Sequence, residues 1–389
     1  MEALELIDRI QRGEDSKTQF KQTINNVAQL AQEFVAFSNS DGGLLFIGIK
    51  KNGEVAGLSF DEIEKINQHI SNAASQHVKA PIAPFTENIA VNEKTIIVVR
   101  ISKGINKPYY TNEGIAYVKM GSDKRIAPPE EILRLFQSSG KIYADEMMID
   151  GTSANDVNID YYKVIFNKRF ERKGITFDTS NINLATSLQN QQLYKDGNLT
   201  LAGLLVFCDN RHNFRPQFSI QCFAVNAKDL LGNNFEDNEP SFEGNLEQVY
   251  FQALNFIDRN IKKIPSGPSF NSELKWQIPK EVFEEVLVNA LVHRDYFINT
   301  TIKVFMFIDR IEIISPGKLP NSQTEETIVN GVSIPRNPVL QSLAQYVLPY
   351  KGAGTGLMRA ISIYPDIKLI NEQEKERFIV VIKRPQTQA

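Results

Sequence analysis

The chain has 389 residues, 42% hydrophobic and 23% charged, with a net charge of −3. That is ordinary globular composition, long enough for two or three packed cores, and it excludes a disordered chain. The N-terminal run MEALELIDRIQRGED holds acidic residues and no apolar stretch of signal length, and no uncharged apolar run approaches the ~20 residues of a membrane helix, which predicts a cytoplasmic protein.

The charge balance also excludes a global basic field of the kind that drives tight, sequence-independent nucleic-acid binding. Residues 1–140 carry 16 Lys and Arg against 17 Asp and Glu, so a nucleic-acid surface there must be a local patch made by the fold. The two cysteines, Cys208 and Cys222, lie in apolar strand-like runs without a metal-ligand neighbour, which predicts core packing.

In chain order, Ile24, Val27, Leu30, Ala31, Phe34 and Val35 recur at helical spacing and lead through SNSDGG into the apolar strand LLFIGIK. A polar helix near 60–76, the strand TIIVVRIS, the loop GINKPYY, the strand GIAYVKM and a helix opened by Pro128 and Pro129 follow. Residues 140–158 are polar and turn-rich and read as a linker. IDYYKVIFNKRFERKG begins a new helix; LAGLLVFCD and QFSIQCFAV read as strands, and GNLEQVYFQALNFIDRNI as a long helix. After a second break near 264–268 come a helix PKEVFEEVLVNALVHRDY, strands TIKVFMFID and RIEIISPG in antiparallel order, a helix from Arg336-Asn337-Pro338, a glycine-rich loop, another helix and a last strand RFIVVIKRP. The pattern predicts an α+β multidomain protein divided at 1–139, 140–158, 159–268 and 269–389.

Glu281, Glu285, Asn289 and His293 recur every fourth residue on one helical face, with Val286, Leu287, Ala290 and Leu291 on the buried side. Gly352, Gly354 and Gly356 open a later helix, where backbone N–H groups and the helix dipole suit a phosphate. His293, Arg294 and Asp295 suit a helix end and the start of a turn. The ordered runs Glu285 to Tyr296, Asp309 to Pro320, Arg336 to Pro338 and Gly354 to Arg359 resemble the GHKL-type ATPase module of prokaryotic proteins labelled helicase-related or transcriptional regulators. The resemblance implies a GHKL-like α/β sandwich that binds ATP and Mg²⁺. Asn289 would hold the metal through the nucleotide, Glu285 would be the catalytic base, and Gly317, Gly352, Gly354 and Gly356 would line the nucleotide. GHKL proteins usually read adenine with an Asp in a D-x-G-x-G turn; Ser315-Pro316-Gly317-Lys318-Leu319 stands there, so the module is expected to be degenerate, a weak ATPase at most.

Gly13 to Lys21, Phe37 to Ile49, Pro108 to Tyr110 and Tyr117 to Ser122 resemble the Schlafen-type AlbA domain, an α/β nucleic-acid binder. Asn39, Asp41, Gly42 and Gly43 suit a helix C-cap and turn. Lys21, Lys103, Lys107, Tyr109, Tyr110, Lys119, Lys124 and Arg125 are the candidates for phosphate contact and base stacking. Enzymatic relatives open with E-x-x-x-x-E-F-K, whereas this chain reads Glu14 to Lys21 with Gln19 in the second acidic place, which weakens a nuclease reading. The first expectation is a regulatory protein with DNA or RNA as partner and self-assembly into a homo-oligomer. The alternatives are a Schlafen-type metal-dependent RNase acting in defence and an interaction scaffold with decayed sites.

Overall fold

The computed structural model describes residues 3–91, 93–172, 174, 183–232, 234–265, 272–319, 323–331, 334–352 and 354–385. The chain is a mixed α+β protein that divides into two compact units between Ile142 and Tyr143.

In the first unit a four-stranded sheet runs in the order Thr18–Lys21, Gly43–Ile47, Lys94–Ile101, Phe85–Val91, parallel in the first pair and antiparallel in the others. Strand side chains alternate between faces. Leu45, Ile47, Ile97 and Val99 pack with the helices Val27–Asn39 and Phe60–Gln76, while Leu44, Phe46, Ile96 and Val98 pack with Phe20 and with Leu6 of the helix Ala3–Arg12. Asn26 caps the Val27–Asn39 helix by accepting from the N–H groups of Ala28 and Gln29.

The NSDGG segment joins this helix to the sheet, as its residue types suggest. Asn39 is buried; its amide N–H group donates to the carbonyls of Tyr109 and Tyr117 at 2.9 Å, and its oxygen accepts from the Tyr109 N–H. Gly42 has φ +74°, and a Cβ there would stand 2.6 Å from the Ile101 carbonyl oxygen.

In the second unit a six-stranded sheet has the order Phe235–Glu239, Ile220–Val225, Ile302–Met306, Arg310–Pro316, Arg377–Lys383, Ile367–Glu372. The Ile220–Val225 strand lies parallel to Ile302–Met306, and the remaining pairs are antiparallel. This pairing corrects the expected boundary at 268/269, because strands on both sides of it share one sheet and one core. The helices Leu246–Asn260, Lys280–His293 and Pro338–Val347 contribute to that core, in which Val282, Phe283 and Leu287 are fully buried, each worth roughly 1.5–3 kcal/mol.

Two further expectations are corrected. Residues Leu201–Phe207 form a helix rather than a strand, capped by Thr200. All seven are buried, so the run had no periodicity to distinguish the two forms. Cys208 ends that helix and Cys222 sits in the strand; both are free and buried, and burial pushes both thiols up. The stretch 140–158 is no free linker either: Ala144, Ile149 and Val157 join the second core, and Ile149 N–H bonds the Leu199 carbonyl at 2.8 Å.

Within it Asp145, fully buried, accepts the Leu340 N–H at 2.8 Å and so caps the Pro338–Val347 helix. Burial pushes its carboxyl up to about 6. Because the folded pKa lies above the unfolded one, Asp145 favours folding below about pH 4 and this is lost as pH rises through about 6. Asp145→Asn keeps the acceptor and removes the proton. Between pH 4 and 7 the wild type should therefore lose on the order of 2–3 kcal/mol relative to the variant. Urea unfolding at both pH values gives this difference, and parallel curves would refute it.

Candidate functional site

The helix Lys280–His293 places Glu285, Asn289 and His293 along one side of a pocket, while Glu281, one turn earlier, is exposed and outside it. The opposite side comes from the sheet through Ile313, Ser315, Phe378 and Val380 and from the turn at Gly317. The third comes from Tyr350 to Gly352 and Gly354 to Leu357. Ala353, between the loop glycines, lies outside the described residues. The pocket is partly open to solvent. All the predicted nucleotide residues, Glu285, Asn289, Gly317, Gly352, Gly354 and Gly356, line it.

The backbone requires glycine at Gly317, and at Gly356 the absence of a side chain allows a close approach. Gly317 has φ +100°, and a Cβ would fall 2.5 Å from Asp295 Cβ. At Gly356 a Cβ would fall 2.5 Å from Glu285 Oε2 and 2.9 Å from Asn289 Nδ2, so the start of the Gly356–Ile363 helix lies directly on the polar face of the Glu285 helix. The Asn289 amide N–H donates to the Glu285 carbonyl oxygen at 2.7 Å, which leaves its side-chain oxygen as the end suited to a cation.

Electrostatically the pocket favours an anion. Among the described residues Lys318, Arg336, Lys351 and Arg359 line it against the single carboxylate of Glu285, which Arg359 pairs. Lys318 reaches Glu376 at 3.0 Å, and Arg336 donates to the Lys318 carbonyl. The His293 ring lies 3.3 Å from the Tyr350 hydroxyl, and desolvation with the Arg336 charge pushes its pKa down to about 4, so the ring is neutral. The next residues shape the helix end. Asn337 of the R-N-P run donates to the carbonyls of Val292 and Arg294, and Asp295 accepts from the Phe297 N–H at 2.9 Å to open a turn. Sequence reading did not assign Arg336, Lys351 or Arg359 to the pocket, although Arg336 and Arg359 stand in quoted motifs.

The first unit holds a second charged cluster. Glu33, on the buried side of the Val27–Asn39 helix, meets Lys124 at 2.8 Å, Lys21 at 3.3 Å and Lys119 at 3.8 Å. Burial alone would raise its carboxyl, but the Lys124 hydrogen bond and the three ammonium charges hold it below the usual range. Gln19 joins this cluster: its amide N–H group donates to Glu14 and its oxygen accepts from Lys119 at 2.8 Å. An amide satisfies an acid and an ammonium at once, which a second carboxylate could not do. Glu33 was missed from the sequence; a lone acid on the apolar face of VAQLAQEFVAF was its signal.

The expected nucleic-acid residues separate here. Tyr109 is buried in the core and Lys107 is buried with its ammonium on the Ser40 carbonyl, burial and then Lys103 pushing it down to about 8. The Lys119 side chain is likewise buried. These three are corrected to structural residues, since each is enclosed by the packing it completes. Lys21, Lys103, Lys124, Arg125 and Tyr110 keep partial exposure; Lys103 pairs with Asp41 and Arg125 with Glu131.

A helix-and-sheet unit with a glycine- and cation-lined pocket follows a smaller α/β unit. Residues 14–128 match the Schlafen AlbA_2 family, and residues 299–381 match the family described as "Putative ATP-dependent DNA helicase recG C-terminal". The chain thus carries a region similar to Schlafen AlbA_2 domains and, after it, one similar to the HATPase-type C-terminal domain of RecG-related proteins. The second match begins after the Glu285 helix, which only the fold brings to the pocket. No curated protein matches the chain. A Corynebacterium diphtheriae protein of known crystal structure is 18% identical over 95% of this chain and 76% of its own, with a TM-score of 0.47. The N-terminal domain of a helicase RecG-related protein from Nitrosomonas europaea is 21% identical over 32% of this chain and 92% of its own, with a TM-score of 0.24.

Proposed function

We propose that the chain is a nucleic-acid-binding regulatory protein whose C-terminal pocket binds ATP with Mg²⁺ and hydrolyses it weakly, nucleotide occupancy biasing the protein's conformation or assembly. The observation that carries this reading is convergence: Glu285 and Asn289 from one helix and Gly352, Gly354 and Gly356 from a distant loop line one pocket where four cations face one carboxylate. Glycine N–H groups and Lys351 suit the phosphates. Asn289 supplies an oxygen to a divalent ion; among the described residues no three His, Cys, Asp or Glu side chains converge, so the remaining ligands would be phosphate oxygens and water. Ile313, Ile328, Leu319 and Phe378 offer apolar surface for a base. In the first unit, Lys21, Lys103, Lys124, Arg125 and Tyr110 are the residues we assign to nucleic acid, whose phosphates would compete with Glu33, Asp41 and Glu131 for the cations.

ATP with Mg²⁺ should raise the melting temperature of the full chain, by roughly 2.7 kcal/mol of stabilisation at a hundredfold excess over the dissociation constant. Asn289→Ala should remove most of the Mg²⁺-dependent part. In the same samples, anisotropy of labelled DNA or RNA should fall steeply with salt and change when nucleotide is added. No thermal shift with ATP, ADP or GTP at millimolar concentration would refute the nucleotide reading, and salt-insensitive anisotropy would refute the nucleic-acid one.

A further inference from the structure

We infer that Arg359 is the residue by which this pocket tells a nucleoside triphosphate from a diphosphate, by exchanging its guanidinium between Glu285 and the terminal phosphate; this rests on the nucleotide reading of the same pocket. Among the described residues Glu285 is the one carboxylate lining the pocket, and its side chain is only 14% exposed. Arg359 lies on the first turn of the helix that follows the glycines, its N–H bonded to the Thr355 carbonyl, and its Nη2 donates to Glu285 Oε1. Its Nε is buried without a partner. The guanidinium therefore holds a carboxylate while at least one donor in the same fork stays unused.

Two acceptors compete for this one group once a triphosphate enters. A carboxylate brings one negative charge, whereas a terminal phosphate brings more charge and oxygens spaced for the two-pronged guanidinium. Of the other cations lining the pocket, Lys318 is held by Glu376 and Arg336 is bonded to the Lys318 carbonyl, while Lys351 brings a point charge without the fork and serves the phosphates of either nucleotide. While Arg359 stays on Glu285, the carboxylate is charge-compensated and one of its oxygens is occupied, which makes it a poor acceptor for a proton from water. When a terminal phosphate takes Arg359, Glu285 is released beside Asn289, in the place where a base would act. The terminal phosphate of a diphosphate stops one phosphate short of the guanidinium and leaves the pair closed. The Glu285–Arg359 pair is thus a latch that the triphosphate opens, and the energy of opening it is a term that only the triphosphate meets.

Calorimetric titration of the full chain with ADP and with a non-hydrolysable ATP analogue, both with Mg²⁺, tests this without relying on turnover. Wild-type protein should prefer the triphosphate about tenfold or more, the scale of hydrogen bonds to a charged group. Arg359→Gln should bring the ratio close to one while ADP affinity stays within about threefold, and Arg359→Lys, which keeps charge without the fork, should fall between. Glu285→Gln should raise triphosphate affinity by about threefold or more with little change for ADP, because no ion pair has to open. An unchanged ratio in Arg359→Gln overturns the inference and leaves the nucleotide reading standing. Should that variant fold poorly, a Glu285→Gln protein with no gain for the triphosphate overturns it equally. Wild-type protein that binds neither nucleotide overturns the nucleotide reading and this inference together.

Discussion

Glu33→Ala should destabilise the first unit by about 3–5 kcal/mol, the cost of removing one partner from a buried ion cluster. The Glu33 side chain is 4% exposed and that of Lys119 is 1% exposed, so deletion of the carboxylate leaves an ammonium enclosed with Gln19, the Ser122 carbonyl and the Phe37 ring as its remaining neighbours. Lys21 and Lys124 then repel it, with only the more distant Glu14 left to offset them. The effect also has a pH signature. The folded pKa of Glu33 lies below its ordinary value, so its stabilisation is present above about pH 4.5 and is lost as pH falls through the folded pKa. Calorimetry of the full chain should show the transition of the first unit moved down by about 10 °C or more at neutral pH, and the gap between wild type and variant closing in acid. Pairing the change with Lys119→Met should recover part of the loss, because replacing both members of a buried pair by apolar groups is often near neutral. A single Glu33→Ala protein that melts within 2 °C of wild type, roughly the span of a 0.5 kcal/mol change, would show that the cluster is held by something other than this charge.

The outcome bears on how far the sequence could be read. Helix Lys280–His293 was legible because polar residues at every fourth position interrupt an apolar run, and Glu285, Asn289 and the three glycines proved to share one pocket. NSDGG was legible as a joint because Asn and Gly have so few alternative uses beside a helix end. Leu201–Phe207 was not, since a fully buried segment carries neither the helical nor the strand period. Lys107, Tyr109 and Lys119 were misjudged as exposed for a different reason. A side chain's exposure depends on what the rest of the chain packs against it: Lys119 and Lys124 are brought to Glu33 from a hairpin distant in sequence, and Tyr109 is drawn inward by Asn39. Arg359 was visible in its motif but had no assignable task until the fold set it against Glu285.

That fold sets Gly356 against both Glu285 and Asn289, and Gly356→Val should abolish the ATP-dependent thermal shift. Even a single Cβ would stand 2.5 Å from Glu285 Oε2 and 2.9 Å from Asn289 Nδ2. Both atoms end movable side chains, so the protein can still fold by turning them away, at roughly 1–3 kcal/mol for overpacking. The side chains that must move are the two the proposed site needs, and the valine methyl groups would occupy space where glycine lets a phosphate approach the helix start. Affinity for ATP with Mg²⁺ should drop more than about a hundredfold, equivalent to roughly 2.7 kcal/mol of lost binding energy. Gly356→Ala, with one methyl, should lie between. Trp276, the chain's one tryptophan, lies 5.7 Å from Phe283 of the Lys280–His293 helix, ring centre to ring centre, so its fluorescence follows unfolding of this unit without nucleotide. A Gly356→Val protein that folds by that measure, yet keeps the full ATP shift, would place the phosphates away from the helix start and remove the close approach of Gly356 to Glu285 and Asn289 from the nucleotide site.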